Sequence, residues 1–180
     1  QQALINQRLS EEISEEDLET YFEKNQELFK LERPLMKGLF IKVPLTAPQL
    51  GNVRRWYKTE TREAVENLEK YSLQNAVKYE YFYEKWVSVS EILDLIPLKE
   101  PDTENYLNKN RQVELKDTAY YYFLNVSDYR PIGEQEPYEF ARLKVKDLLL
   151  NVKQVKFMEQ VKDDLYQQAV KRDKIKYYLE

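Results

Sequence analysis

Histidine and cysteine are both absent from this 180-residue chain, and only 3 glycines occur in it. Each absence removes a class of chemistry. Without histidine there is no serine–histidine triad, no imidazole general base and none of the commonest metal ligand. Without cysteine there are no disulfides, thiolate zinc sites or thiol nucleophiles. The few glycines form neither GxGxxG nor GxxxxGK[ST], the patterns that let a backbone hug a phosphate. No metal ion and no cofactor is therefore expected. No apolar run approaches the ~18 residues that cross a bilayer. No block of about five or six basic residues exists either, so the electrostatic footprint of a nucleic-acid binder is missing.

What the chain holds in quantity is charge of both signs and tyrosine. Its 28 basic and 32 acidic residues are interspersed and leave a formal charge of −4. Hydrophobic residues make up 42% and charged residues 33%, which describes a globular protein with a heavily charged surface. Tyrosine occurs 15 times, against 7 phenylalanines and 2 tryptophans. This length suffices for one domain with a real core, or for a small domain with a helical appendage. Gln1 is not a natural start, so the chain reads as a processed or trimmed piece of something longer.

Periodicity then places the elements. Gln1 to Leu9 reads as the tail of a helix. Ser14-Glu15-Glu16-Asp17 is a capping-box-like start, followed by Leu18, Tyr21, Phe22, Leu28 and Phe29 at helical spacing, which predicts a helix from Ser14 to Lys30. Leu35 to Val43 reads as a strand bracketed by Pro34 and Pro44. Pro48 suits a first helical position before Leu50, Val53 and Trp56, and a further helix covers Arg62 to Val77. Tyr79 to Tyr83 alternates as a short aromatic strand. Ser90 suits the cap of a short helix ended by Pro97, and Asp102 the cap of another reaching Leu107. Gln112–Leu115 and Ala119–Val126 read as two antiparallel strands. After the loop from Pro131 to Pro137 comes an amphipathic run to about Arg172, carrying Ala141, Val145, Leu148, Val152 and Val155. A helix of that length, ~50 Å, exceeds a small domain and needs a cover. Ile175 to Tyr178 is expected to close as a short strand. Helices mixed with antiparallel strands in this order predict an α+β fold.

The pairs Glu15-Glu16 and Asp163-Asp164 suggest acid–base or metal chemistry only weakly, since adjacent carboxylates on a helix usually form a solvated face. Gln49, Asn52 and Arg54-Arg55 near Trp56 are suited to a ligand carboxylate, with a solvated helix face as the commoner outcome.

Several of these segments together resemble a known family. Ile13-Ser14-Glu15-Glu16-Asp17-Leu18 with Tyr21-Phe22, Asn25 and Phe29 resembles the linker helix that leads into the parvulin domain of SurA- and PrsA-like foldases. Leu39-Phe40-Ile41-Lys42-Val43 falls where that family has its first strand. Tyr120-Tyr121-Tyr122-Phe123-Leu124-Asn125-Val126-Ser127-Asp128 is similar to its last strand, and Leu107-Asn108-Lys109-Asn110 sits where it has L-x-x-G. The run from Phe140 to Ala169 resembles the helix that follows the parvulin domain in SurA-like chains. The match runs in order over nearly the whole chain, and its character is similar to divergent versions from Bacteroides-type bacteria.

The resemblance implies a small antiparallel parvulin-like sheet covered by helices, with a flanking N-terminal helix and a long C-terminal helix. It implies an N-terminal linker region at 1–33, a degenerate parvulin-like domain at 34–131 and a C-terminal helix at 132–180. It implies that the strands near Leu39 and near Tyr122 are antiparallel neighbours. The family's isomerase site uses two buried histidines, one on each central strand; here those places fall to Tyr122 and to Gly38 or Leu39. The resemblance therefore implies a periplasmic, cell-envelope module that binds unfolded or outer-membrane polypeptides with little or no prolyl isomerase activity. Two alternatives stay open: an active isomerase using tyrosines, and a structural module that homo-oligomerises through its long helix. Candidate peptide-binding residues are Phe40, Phe82, Trp86, Ile92, Tyr106 and Tyr122, although an aromatic on a strand is more often core than ligand site. No catalytic residue is assigned.

Overall fold

The computed structural model describes residues 1–179, with side chains through residue 176. In chain order the elements are α1 (Gln2–Glu11), α2 (Glu15–Lys24), a 3-10 turn (Gln26–Phe29), β1 (Leu35–Pro44), α3 (Leu50–Tyr57), α4 (Arg62–Asn75), β2 (Lys78–Ser88), α5 (Val89–Leu93), α6 (Thr103–Lys109), β3 (Gln112–Lys116), β4 (Tyr120–Arg130) and α7 (Tyr138–Leu179). Two compact units result, Gln1–Phe29 with Gln135–Glu180, and Lys30–Glu134. The fold is α+β, with a four-stranded antiparallel sheet and a long C-terminal helix.

The first unit is helical. Ser14 Oγ accepts from the Asp17 amide at 3.1 Å, and the Asp17 carboxylate accepts from the Ser14 amide at 3.0 Å, closing the capping box its sequence announces. Those bonds hold the Asp17 carboxyl below the usual carboxylate range. α2 stops at Lys24, earlier than the expected Lys30. The Asn25 side chain donates back to the Tyr21 carbonyl at 2.8 Å, and the 3-10 turn then carries Phe29 into the core with Leu18, Ala141 and Val145. α7 starts after Pro137, and Arg142 pairs with Glu15 across the bundle. It extends through Leu179, so the expected end near Arg172 and the expected strand at 175–178 are both replaced by helix. The reason is local: after Pro137 the sequence contains neither glycine nor proline, and nothing interrupts the helix. At 1.5 Å per residue, its 42 residues reach about 63 Å.

The second unit is the sheet, with strand order β2-β1-β4-β3. The central pair is β1 and β4, as the resemblance implies: Leu39 lies opposite Asn125 and Lys42 opposite Tyr122. Alternation gives the sheet two faces. On one, Leu39, Ile41, Val43 and Phe123 pack with Val53, Tyr57, Leu68 and Tyr71 of α3 and α4. On the other, Met36, Phe40, Phe82, Tyr122 and Leu124 pack with Val89, Ile92 and Leu107 of α5 and α6. Burying both faces needs apolar residues at nearly every β1 position, and Leu35–Val43 supplies them.

Register breaks explain where sequence boundaries drift. Against β4, Lys37 pairs with Asp128 but Gly38 with Val126, so Ser127 is an extra residue. Against β2, Met36 pairs with Val87 but Gly38 with Phe82. β2 therefore continues to Ser88 instead of ending at Tyr83; the strand bulges through Glu84 and Lys85, and alternation is lost there. Trp86 leaves the main cluster and joins Leu31 and Leu35. α5 begins after Ser88, two residues earlier than the expected cap at Ser90, and ends at Leu93. α4 ends at Asn75 because Val77 already donates to the Lys42 carbonyl at 2.8 Å, entering the sheet. Pro48 stays outside α3. Gln49 follows it in a left-handed conformation (φ 56°), and the Pro48 carbonyl accepts the Tyr71 hydroxyl at 2.7 Å. Among the described residues, no helix is long and apolar enough to cross a membrane.

Candidate functional site

Because β2 is an edge strand, one of its sides is left without a strand partner. The alternation Tyr79-Glu80-Tyr81-Phe82-Tyr83 sends Phe82 into the core under α5 and α6. Tyr79 and Tyr83 pack on the opposite face, the one that α4 covers. α4 buries Leu68 and Tyr71 but sets Glu66, Glu69 and Leu73 on its flank at helical spacing. Between that flank and β2 lies a cleft of about 660 Å³. Tyr81 and Tyr83 line it, with their rings edge to face at 5.5 Å. Glu60, Glu66, Glu69 and Glu84 also line it, against a single guanidinium, that of Arg62.

Asn125 anchors the cleft from below. It is only 2% exposed, and its amide donates to the Tyr83 hydroxyl at 2.9 Å and to the Glu60 carboxylate at 3.3 Å. A buried amide has to spend its donors on partners, and these two lie on the cleft wall. Burial pushes the Tyr83 phenol up to about 12, so at neutral pH it keeps its proton and stays a hydrogen-bond donor. Arg62 already pairs with Glu66 at 3.1 Å, which leaves Glu60, Glu69 and Glu84 to set the field of the cleft. Among the described residues no three carboxylates converge to hold a metal ion.

The residues expected to form a peptide groove lie elsewhere. Phe40, Phe82, Ile92 and Tyr122 come together in the core under α5 and α6, and all are buried. Tyr106 packs half-buried at the margin of that cluster. Trp86 sits apart with Leu31 and Leu35, with the Lys37 ammonium 4.9 Å and the Arg130 guanidinium 5.1 Å from its ring centroid. The Tyr122 hydroxyl donates to Asp117 at 2.5 Å. Asp117 in turn accepts from the Ala119 and Tyr120 amides at 2.9 and 2.8 Å. Burial, then this carboxylate, pushes the Tyr122 phenol up to about 12, and the Tyr122 bond leads those that hold Asp117 low.

The two places where the family carries histidines also separate. Gly38 faces Val126, whereas Tyr122 faces Lys42, four residues further along β1, or about 13 Å. Leu39 lies on the opposite face from Tyr122 and is fully buried. No pair of hydrogen-bonding side chains arises from these positions.

Sequence reasoning missed Asn125, Glu60, Glu66, Glu69 and Tyr83. The signal for Asn125 was present: an amide between Leu124 and Val126 on a strand with both faces apolar needs a buried partner. The glutamates of α4 carried no comparable signal, because their spacing also fits an ordinary solvated face.

The second unit is a four-stranded antiparallel sheet with a helix pair on each face. No protein-family model matches the sequence, and no curated protein matches it. Among solved structures, the chain is similar to one described with the virulence factor PEB4 and the periplasmic protein Cj1289, two structurally related SurA-like chaperones of Campylobacter jejuni. The likeness spans 92% of this chain and 67% of that one, at 9% identity and a TM-score of 0.34. At that score the likeness decides neither fold nor function.

Proposed function

We propose that the chain is a polypeptide-binding module of chaperone type, working in the periplasm on unfolded or outer-membrane polypeptides, with little or no prolyl isomerase activity. The observations that support binding are the tyrosine-lined cleft of about 660 Å³ between α4 and β2, and the unpaired edge of β2 in the same unit. Tyrosine gives contact area at low conformational cost, and an unpaired strand edge offers backbone donors and acceptors to an extended chain. The envelope assignment draws on the order of foldase-like motifs along the sequence.

The case against isomerisation is physical. The enzyme must prefer a twisted amide over a planar one, against a barrier of about 18–20 kcal/mol. An apolar cup and a few oriented hydrogen bonds would supply that preference. Here the Tyr122 hydroxyl is spent on Asp117, and Leu39 offers no hydrogen bond at all. A phenol held near 12 is also a poor proton shuttle at neutral pH. The purified chain is expected to suppress aggregation of a chemically unfolded polypeptide at near-stoichiometric ratio. Proline-peptide isomerisation in its presence is expected to run at the uncatalysed rate. Aggregation unaffected by excess protein would defeat the binding claim, and strong turnover would defeat the claim of inactivity.

Self-association is a second reading, favoured by exposed apolar residues along α7. Val155, Met158, Leu165 and Ile175 are all at least half exposed, and Met158 and Leu165 stand seven residues apart, the repeat of a coiled-coil seam. Light scattering at high protein concentration is expected to show a dimer on this reading. A clean monomer removes it.

A further inference from the structure

A smaller cavity of about 440 Å³ lies along the same flank of α4, lined by Glu69, Ser72, Leu73 and Tyr79. Glu69 lines both cavities, which therefore lie side by side on the α4 flank. Ser72 is 8% exposed, and among the described residues neither its Oγ nor the Tyr79 hydroxyl has a hydrogen-bond partner. A buried hydroxyl without a partner is uncommon in a folded protein, and here it leaves a hydrogen-bonding capacity that a bound group can use. Leu73, beside them, is 90% exposed.

We propose that this smaller cavity takes the cationic side chain of an extended polypeptide, arginine or lysine, with its head between Glu69, Ser72 and Tyr79 and its stem along Leu73. The inference rests on the polypeptide-binding reading of the adjoining cleft and names the segments it selects. Glu69, Ser72 and Tyr79 line a pocket whose fourth lining residue is the aliphatic Leu73, and all three side chains carry oxygen that accepts hydrogen bonds. A guanidinium carries five donors and no acceptor, and its three methylenes suit an apolar wall. The adjoining cleft adds Glu60 and Glu84, with Glu66 held by Arg62. Low-dielectric walls lined by one sign of charge attract the opposite sign. An acidic segment meets repulsion from both cavities, and an aliphatic one leaves both hydroxyls unpaired.

The test uses fluorescently labelled unstructured peptides of one length. They differ only at a central residue, which is arginine, lysine, citrulline, leucine or glutamate, and binding to the whole chain is read by anisotropy. The arginine and lysine peptides are expected to bind about tenfold or more tightly than the other three, and added salt is expected to narrow that gap. Glu69→Gln is expected to lower the affinity for the arginine peptide about tenfold. Ser72→Ala and Tyr79→Phe, which remove only orphaned hydroxyls and spare the packing, are expected to weaken it several-fold with the melting temperature unchanged or raised. Equal affinity for all five peptides, or an arginine peptide indifferent to Glu69→Gln, overturns the cation site and leaves polypeptide binding standing. If no peptide binds and unfolded protein is not held either, both proposals fall together.

Discussion

Gly38→Ala lowers the stability of the sheet unit by about 2–4 kcal/mol, read as a fall in the denaturant midpoint with little change in slope. A Cβ built on Gly38 would stand 2.2 Å from the Asn125 carbonyl oxygen and 3.2 Å from a ring carbon of Phe82. The first is a collision with backbone, which no rotamer change relieves. Gly38 is also where both neighbours change register: β4 loses step after Val126, and β2 departs after Phe82. Relief would require β4 to move outward, and that would pull Asn125 from Tyr83 and Glu60. The same variant should therefore loosen the acidic cleft, and polypeptide capture should fall with stability. Gly51→Ala is the matched control. A Cβ at that position meets nothing within 4 Å, and helix α3 gains propensity, so stability should stay level or rise by up to about 1 kcal/mol. A Gly38→Ala midpoint equal to that of the parent would mean that the strands do not close on each other at this point.

These consequences of one glycine show where reading residues in line succeeds and where it stops. Binary patterning is a property of single strands, so the alternation itself puts Leu39, Ile41 and Val43 on one face and Phe40 on the other, whatever the partner strand. Caps are equally local. Ser14 and Asp102 sit where their side chains predicted, each accepting from the amide three residues on. A bulge is a property of two strands at once. The extra residue Ser127 and the long excursion from Phe82 to Val87 depend on what β1 does at Gly38, and no window along β2 or β4 contains that information. The site was hidden for the same reason. Glu60 and Asn125 are 65 residues apart, and Tyr83 reaches Asn125 across 42. What the sequence did show was that Tyr79, Tyr81 and Tyr83 alternate. Their face could be inferred, but not that α4 would leave part of it open.

Phe40→Ala decides whether the sheet face under α5 and α6 is core or client surface. The ring is fully buried among Met36, Phe82, Ile92 and Tyr122, so truncation removes a large apolar group and leaves a cavity. The expected loss is about 3–5 kcal/mol. On that account client binding, measured where the variant is still folded, should hold near the parent value. Tyr81→Ala should behave in the opposite way. Its ring is 40% exposed on the cleft, so stability should change by about 0.5 kcal/mol or less while capture of unfolded polypeptide weakens. The two variants separate the two surfaces because burial and binding make contrary demands on an aromatic ring: one needs it out of solvent already, the other needs it to be covered only when the client arrives. If Phe40→Ala keeps its stability and loses the client, the helices α5 and α6 must lift away to admit chain. The cleft beside α4 would then be left with no role in capture.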